Sequence, residues 1–248
     1  MIGFGIDIGG TGTKGAPVDL TSGSLASNRT RFATPKKSTP EALADVAEQI
    51  IGSYKGLELP AVTGVAIPAV VQRGVARSAA NIDKSWIDTD VDALFTERLG
   101  HPVHVVNDAD AAGVAEARYG AARGRDGVIL VITLGTGIGS ALIVDGTLVP
   151  NTELGHLELR GDDAEHYAAT SARERENLSW TQWAKRLHHY FRHLERLFSP
   201  DLFIVGGGVS KNYEAFMPLI DVRTEMIPAD LRNNAGIIGA AALAHDEA

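Results

Sequence analysis

The chain of 248 residues contains no cysteine. Disulfides, thiolate metal sites and a cysteine nucleophile are therefore excluded. Aromatic residues are sparse at 6%, and positive charge is in deficit: 23 Lys and Arg stand against 31 Asp and Glu, for a formal net charge of −8. A global electrostatic pull toward nucleic acid or a membrane surface is not expected, and a polyanionic partner would need a local basic groove. No apolar run reaches transmembrane length, and the opening MIGFGID lacks the basic n-region of a secretion signal. A cytoplasmic protein with no membrane or nucleic-acid partner is the expectation, so the N-x-[ST] sequons at Asn28 and Asn177 carry little meaning. What is present is ordinary for a soluble globular chain: 44% apolar and 22% charged residues. That length suits one large domain or two lobes of roughly 100–150 residues each.

Glycine is not scarce. The stretch DIGGTGTKG, from Asp7 to Gly15, spells G-x-G-x-x-G from Gly10. A dinucleotide-binding turn needs its third glycine to open a helix, with an acidic residue about 20 positions further on. Here Gly15 is followed by Ala-Pro-Val-Asp-Leu; Pro17 and the β-branched Val18 suit a second strand, and Asp19 comes too soon for a ribose contact. The P-loop spacing is absent as well. What remains is strand, glycine turn, strand: a hairpin whose tip offers backbone N–H groups to a phosphate. The pattern recurs, because IDIGGTGTKGAPVD near the start is echoed by ITLGTGIGSALIVD at 132–145. Two copies point to a duplicated fold with two phosphate-holding hairpins facing one cleft.

Periodicity supplies the frame around them. Alternation predicts a strand over 2–8, with short extended pieces at 16–20 and 24–33. Thr39-Pro40 opens a helix with an N-cap hydroxyl and proline at its first position, and Leu43, Val46, Ile50, Ile51 and Tyr54 fall on one face. Strands are expected at 61–67, 103–106, 128–133 and 202–205, and helices at 109–119 and 237–244. A hairpin at 140–148 should turn at Asp145-Gly146. Ser179-Trp-Thr-Gln182 reads as a capping box for a long helix ending before Ser199-Pro200. No linker or low-complexity tract divides the chain.

DIGGTGTK, VNDADAA at 106–112, LGTGIGSAL at 134–142, ELGH at 153–156 and IVGGGVS at 204–210 occur in this order over nearly the whole chain. In these motifs the sequence resembles the sugar-kinase, actin and Hsp70 superfamily, and within it the repressor–ORF–kinase (ROK) family. NTELGHLEL and LSWTQWAKRL…LFSPDLFIVGGGVSKN are similar to the polyphosphate glucokinase branch found in actinobacteria. The resemblance implies an α/β, two-lobed actin-like ATPase fold with an interlobe cleft. One lobe would span 1–106, joined by a C-terminal helix at 236–248, and the other 107–235. It implies transfer of a terminal phosphoryl group from inorganic polyphosphate, with ATP as a further donor, to the 6-hydroxyl of glucose, in a homodimer. The alternatives are an ATP-dependent ROK glucokinase or mannokinase and, from another class, a sugar-sensing module without catalysis. Family repressors carry a helix-turn-helix ahead of DIGGT; this chain starts almost at the motif, which speaks against DNA binding.

The residue roles follow from the same resemblance. Gly9, Gly10, Thr11 and Gly12 would form the first phosphate hairpin, with Lys14 as a neutralising cation; Gly135, Thr136, Gly137 and Gly139 would form the second; Gly206, Gly207 and Gly208 would wall the donor site. Asp7 resembles the aspartate that holds Mg²⁺, through water, against a plain turn-capping role. Asp108 would be the catalytic base and Asn107 a sugar ligand, where capping of the following helix is the alternative. Glu153 and His156 resemble sugar-hydroxyl ligands, and Asn81 a sugar-contacting asparagine, with loop capping as its alternative.

After ELGH the chain departs from the family pattern. Many ROK kinases continue with a cysteine-rich zinc module whose last glutamate touches the sugar; here the segment is LELRGDDAEHYAA. No zinc is expected, and Glu165 aligns with that glutamate, with Glu158 competing. On the long helix, Trp183, Leu187, Phe191, Leu194 and Phe198 form an apolar stripe, while Lys185, His189, Arg192 and Arg196 line another face. That face is either simply solvated or a guide for polyphosphate; Arg77, Lys84, Arg123, Arg125 and Lys211 are other candidates for such a track.

Overall fold

The computed structural model describes residues 1–54, 56, 58–79 and 82–248. The chain divides into two units, 1–115 with 234–248, and 116–233.

The first unit is built on strand β1 (Ile2–Ile8), which folds back as β2 (Thr13–Asp19). The antiparallel ladder pairs Asp7 with Lys14 and Ile8 with Thr13, leaving residues 9–12 as the tip. Short strands β3 (Ser24–Leu25) and β4 (Thr30–Phe32) both pair with β2. The chain then enters helix α1 (Pro40–Gly52), whose first turn is closed by the Thr39 hydroxyl accepting from the Ala42 N–H. It returns as β5 (Thr63–Ile67), parallel to β1. A small hairpin of β6 (Val71–Gln72) and β7 (Val75–Ala76) precedes helix α2 (Val91–Leu99). Strand β8 (Val103–Asn107) then adds parallel to β5, and helix α3 (Asp108–Tyr119) follows without a break. Parallel neighbours need such helical crossovers, since a tight turn cannot join them.

One face of this sheet buries Phe4, Ile6, Ile8, Val65 and Ile67 against α1 and α2, with Trp86 and Phe95 in the same core. The final helix, α7 (Ala235–Asp246), closes the other face. Its approach is so close that a Cβ on Gly5 would sit 1.9 Å from the Ile237 carbonyl oxygen, and one on Gly64 1.9 Å from that of Ala240. The small residues of AGIIGAAALA are therefore a packing requirement, not a propensity signal.

The second unit repeats the opening theme. Strand β9 (Val128–Leu134) turns through residues 135–137 into antiparallel β10 (Ile138–Val144). Next comes β11 (Thr147–Val149), reached through Asp145 at φ 48° and Gly146 at φ 76°, the left-handed pair that a two-residue hairpin requires. Beyond it lie a hairpin of β12 (Glu158–Leu159) and β13 (Asp162–Asp163) and helices α4 (Ala164–Ala168), α5 (Thr170–Arg175) and α6 (Trp180–Phe198). Strand β14 (Leu202–Gly206) adds parallel to β9, and β15 (Glu225–Pro228) adds parallel to β14. The capping box at Ser179 and Gln182 is present at the start of α6. Trp183, Leu187, Phe191 and Leu194 of α6 are fully buried against Leu130, Ile132, Phe203 and Val205, and Phe198 packs at the edge of this cluster.

Candidate active site

In the first unit the parallel strands align the polar residues at their C-terminal ends. Asp7 of β1 lies beside Ala66 of β5, which lies beside Val106 of β8, so Asp7, Asn107 and Asp108 are at one edge of the sheet. Parallel α/β sheets bind their ligands at this edge. The tip of the β1–β2 hairpin closes with the Gly9 N–H donating to the Gly12 carbonyl at 3.2 Å. Gly10 and Thr11 are exposed, and open space surrounds the Cβ position of Gly10. Lys14 Nζ stands 3.0 Å from Asp7 Oδ2, both side chains largely buried.

Asn107 is buried and bonded in a specific way. Its Oδ1 accepts from the N–H groups of Ala109 at 2.8 Å and Asp110 at 3.0 Å, and its Nδ2 donates to the Ala69 carbonyl at 3.1 Å. The residue caps α3, ties it to the segment after β5 and fixes the backbone that presents Asp108. Asp108, half-buried, occupies the first helical position, where the helix dipole favours an ionised carboxylate. Asn81 lies outside the described residues.

In the second unit the tip at 135–137 is closed by the Gly135 N–H donating to the Gly137 carbonyl. It is held from outside by Ser171 of α5, whose N–H donates to the Gly135 carbonyl and whose hydroxyl donates to that of Thr136. Gly139 lies inside β10 rather than in the tip, opposite Thr133, and Gly206 flanks Thr133 from β14. Gly207 has φ 83°, and a Cβ there would meet the Leu134 backbone at 2.3 Å. The turn at 206–208 thus packs directly on the end of β9, adjoining the 135–137 tip.

Glu153, His156 and Glu165 form an electrostatic group. Burial pushes the Glu153 carboxyl up, His156 pulls it down, and Glu165 pushes it up further. The His156 imidazole is raised chiefly by its bond to Asp163, opposed by burial and helped by Glu165 and Glu153. Glu165 Oε2 accepts from the Ile138 N–H at 3.1 Å, anchoring it beside the second hairpin. Glu158 is exposed on β12.

The sequence profile described as the ROK family matches residues 3–172, more than half of the chain. The chain belongs to the ROK family. It is 47% identical to a polyphosphate glucokinase of Mycobacterium tuberculosis over 96% of this chain and 89% of that one. The crystal structure of an inorganic polyphosphate/ATP-glucomannokinase from Arthrobacter sp. strain KM covers 100% of this chain and 99% of its own, at 54% identity and TM-score 0.96. A ROK glucokinase from Streptomyces griseus, in complex with glucose and AMPPNP, matches at TM-score 0.85 and 26% identity over 99% of this chain and 100% of that one. The fold is the mixed α/β, actin-like ATPase fold of these sugar kinases.

For a ROK chain without the cysteine-rich module, the β12–β13 hairpin is the informative segment. Asp163 Oδ2 lies 2.8 Å from His156 Nδ1, and Asp162 Oδ1 lies 3.0 Å from His166 Nδ1. Side-chain pairs thus tie the hairpin to ELGH and to α4. The guanidinium groups of Arg160 and Arg186 both lie against the Tyr167 ring, and Arg160 also donates to its hydroxyl at 3.0 Å. Sequence reasoning passed over Asp163, Ser171 and Arg31. Arg31 of β4 donates to the Thr11 carbonyl at 3.1 Å and lies against Gly12, so it braces the first tip. Only the register of short strand β4 opposite Lys14 reveals it, and no periodicity announces a strand of three residues.

Proposed function

We propose that this ROK chain is a polyphosphate glucokinase, transferring the terminal phosphoryl group of inorganic polyphosphate, and also of ATP, to the 6-hydroxyl of glucose. The observation that carries this reading is the 54% identity, along the whole chain, to a polyphosphate/ATP-glucomannokinase. In our assignment Asp108 is the catalytic base and Asn107, Glu153, His156 and Glu165 hold the sugar. The tips at 9–12 and 135–137 and the turn at 206–208 take the donor phosphates, with Lys14 as cation.

The reaction balances simply. The glucose O6 attacks the terminal phosphorus, the new O–P bond forms, and the bond to the rest of the chain breaks, leaving polyphosphate one unit shorter. The proton of O6 passes to the Asp108 carboxylate. In a loose transition state the hydroxyl loses its proton late, so an ordinary carboxylate suffices to orient it and accept the proton. The backbone N–H groups of the tips meet the charge on the donor oxygens.

Asp7 supports a Mg²⁺ role by its chemistry: a hard carboxylate at the strand end, beside the phosphate tip, with Lys14 as its present counter-charge. Mg²⁺ keeps most of its water and binds through one or two carboxylates plus substrate phosphates. When bound it would be held by Asp7 and would neutralise part of the donor's charge. No group of three His, Asp or Glu side chains among the described residues forms an all-protein metal cage. Among them also, no helix is long and apolar enough to cross a membrane. We take the working form to be a cytoplasmic homodimer.

The test is a competition between donors. The purified protein, with Mg²⁺, glucose and equal concentrations of polyphosphate and ATP, should form glucose 6-phosphate with loss of polyphosphate ends. Product from ATP alone would leave the ATP-dependent kinase. Glucose binding with no product from either donor would leave the sensing module.

A further inference from the structure

We propose that the outward face of α6 is a docking track for the polyphosphate chain, separate from the tips that hold its reacting end. This rests on the polyphosphate reading above. Lys185, His189, Arg192 and Arg196 are all exposed along that face. With His188 and His193, the last three line a depression of about 360 Å³ on the surface. From Lys185 to Arg196 the helix rises about 16 Å at 1.5 Å per residue, so the cations form a line rather than a point.

Three features separate this face from an ordinary solvated one. First, its charge is not cancelled. The sole acid of α6, Glu195, is buried and turned inward, accepting from the Arg223 and Thr224 N–H groups at 2.8 Å each. Lys185, Arg192 and Arg196 have no ion-pair partner among the described residues, whereas Arg186 on the neighbouring face is paired with Glu176. Second, two of the five other candidate cations are already engaged: Arg77 pairs with Asp88, and Arg125 makes a two-pronged pair with Glu225. Third, the opposite face of the same helix reaches the sugar segment, since the Tyr190 hydroxyl donates to the Leu154 carbonyl at 3.2 Å, between Glu153 and His156. The track thus lies about one helix diameter, roughly 10–12 Å, from that segment. A long linear polyanion carries negative charge far beyond its reacting end; a nucleoside triphosphate confines its charge to three phosphates. The imidazoles add N–H donors for phosphoryl oxygens. On a protein of net charge −8, such a concentrated positive strip selects a long polyanion by its length.

The experiment uses the full chain with Lys185, Arg192 and Arg196 all changed to alanine. Binding of fluorescently end-labelled long-chain polyphosphate is followed by anisotropy without glucose, beside KM for long-chain polyphosphate, tripolyphosphate and ATP. Circular dichroism and ATP-driven turnover report the fold. Three exposed charge contacts, each worth about two- to threefold, predict roughly tenfold weaker binding at low salt. KM for the long chain should rise in step, with tripolyphosphate, ATP and glucose unchanged. Long-chain binding equal to that of the unmodified protein overturns the track, whatever the donor. So does intact binding with a changed sedimentation mass, which would make the face a surface for self-association. If the unmodified protein binds long chains and the variant does not, yet only ATP yields product, the track stands and the donor reading falls.

Discussion

At Asp108 a carboxylate, a helix N-terminus and the end of a parallel strand coincide, and Asn107 fixes the backbone there through three hydrogen bonds. Asp108→Asn keeps the shape and removes the proton acceptor. Turnover should fall by about 10²–10⁴, the usual worth of a general base, with glucose affinity retained in calorimetry; a variant keeping more than about a tenth of kcat refutes the assignment. Glu153 gives a prediction in pH. Its carboxyl is raised by burial, so the ionised form that accepts a sugar hydroxyl disappears at a pH above the ordinary carboxylate range. kcat/KM for glucose should decline on acidification from that raised value, and Glu153→Gln should lower activity and flatten the acid limb. His156 acts from the other side. Its raised value means that the His156–Asp163 stabilisation is complete below the ordinary histidine pKa and lost as pH rises through the raised one. The sequence alone offered two readings of Asn107, cap or sugar ligand. The structure shows the capping bonds, which a sugar contact through the amide does not contradict. The Asp7–Lys14 pair was not anticipated, because a cross-strand partner depends on the hairpin register and not on spacing along the chain.

Elements with a strong local signature were legible. The two glycine hairpins, the Thr39-Pro40 start of α1, the Asp145-Gly146 turn and the Ser179 capping box all appear where their residues place them. Others were not. Helix α2 buries only Val91 and Phe95, too few to impose a period. Strand β15 is four residues long and half-buried, and it exists because β14 offers it an edge. For α7 the sequence suggested a helix but not its consequence, that backbone touches backbone at Gly5 and Gly64. A pair of identical substitutions tests this. Gly64→Ala forces a methyl into the Ala240 carbonyl and should cost about 1–3 kcal/mol or more. Gly52→Ala, in the last turn of α1 with open space around its Cβ position, should instead be neutral or stabilise by about 0.4–1 kcal/mol. The urea midpoint should fall for Gly64→Ala and hold or rise for Gly52→Ala; equal shifts would refute the close packing of α7.

For the whole molecule the governing facts are a net charge of −8 and a substrate that is itself a polyanion. Long-range electrostatics oppose the encounter, so capture must come from short-range cations near the phosphates. Exposed charges are screened beyond about 8 Å at physiological ionic strength, which leaves local cations effective while muting the overall repulsion. A nucleoside triphosphate meets few of these cations; a long chain meets many. The slope of log kcat/KM against log salt should therefore be steeper for polyphosphate than for ATP, because each additional neutralised phosphate adds to the counterions released. Lys14, next to Asp7 at the first tip, acts on the reacting end of either donor, so Lys14→Ala should weaken both donors alike and leave the difference in slopes intact. Steady-state rates for both donors across a salt series, with glucose saturating, decide the matter. Parallel slopes, or ATP favoured at every ionic strength, would mean that the chain uses only the terminal phosphates of its donor and that no extended polyanion path contributes.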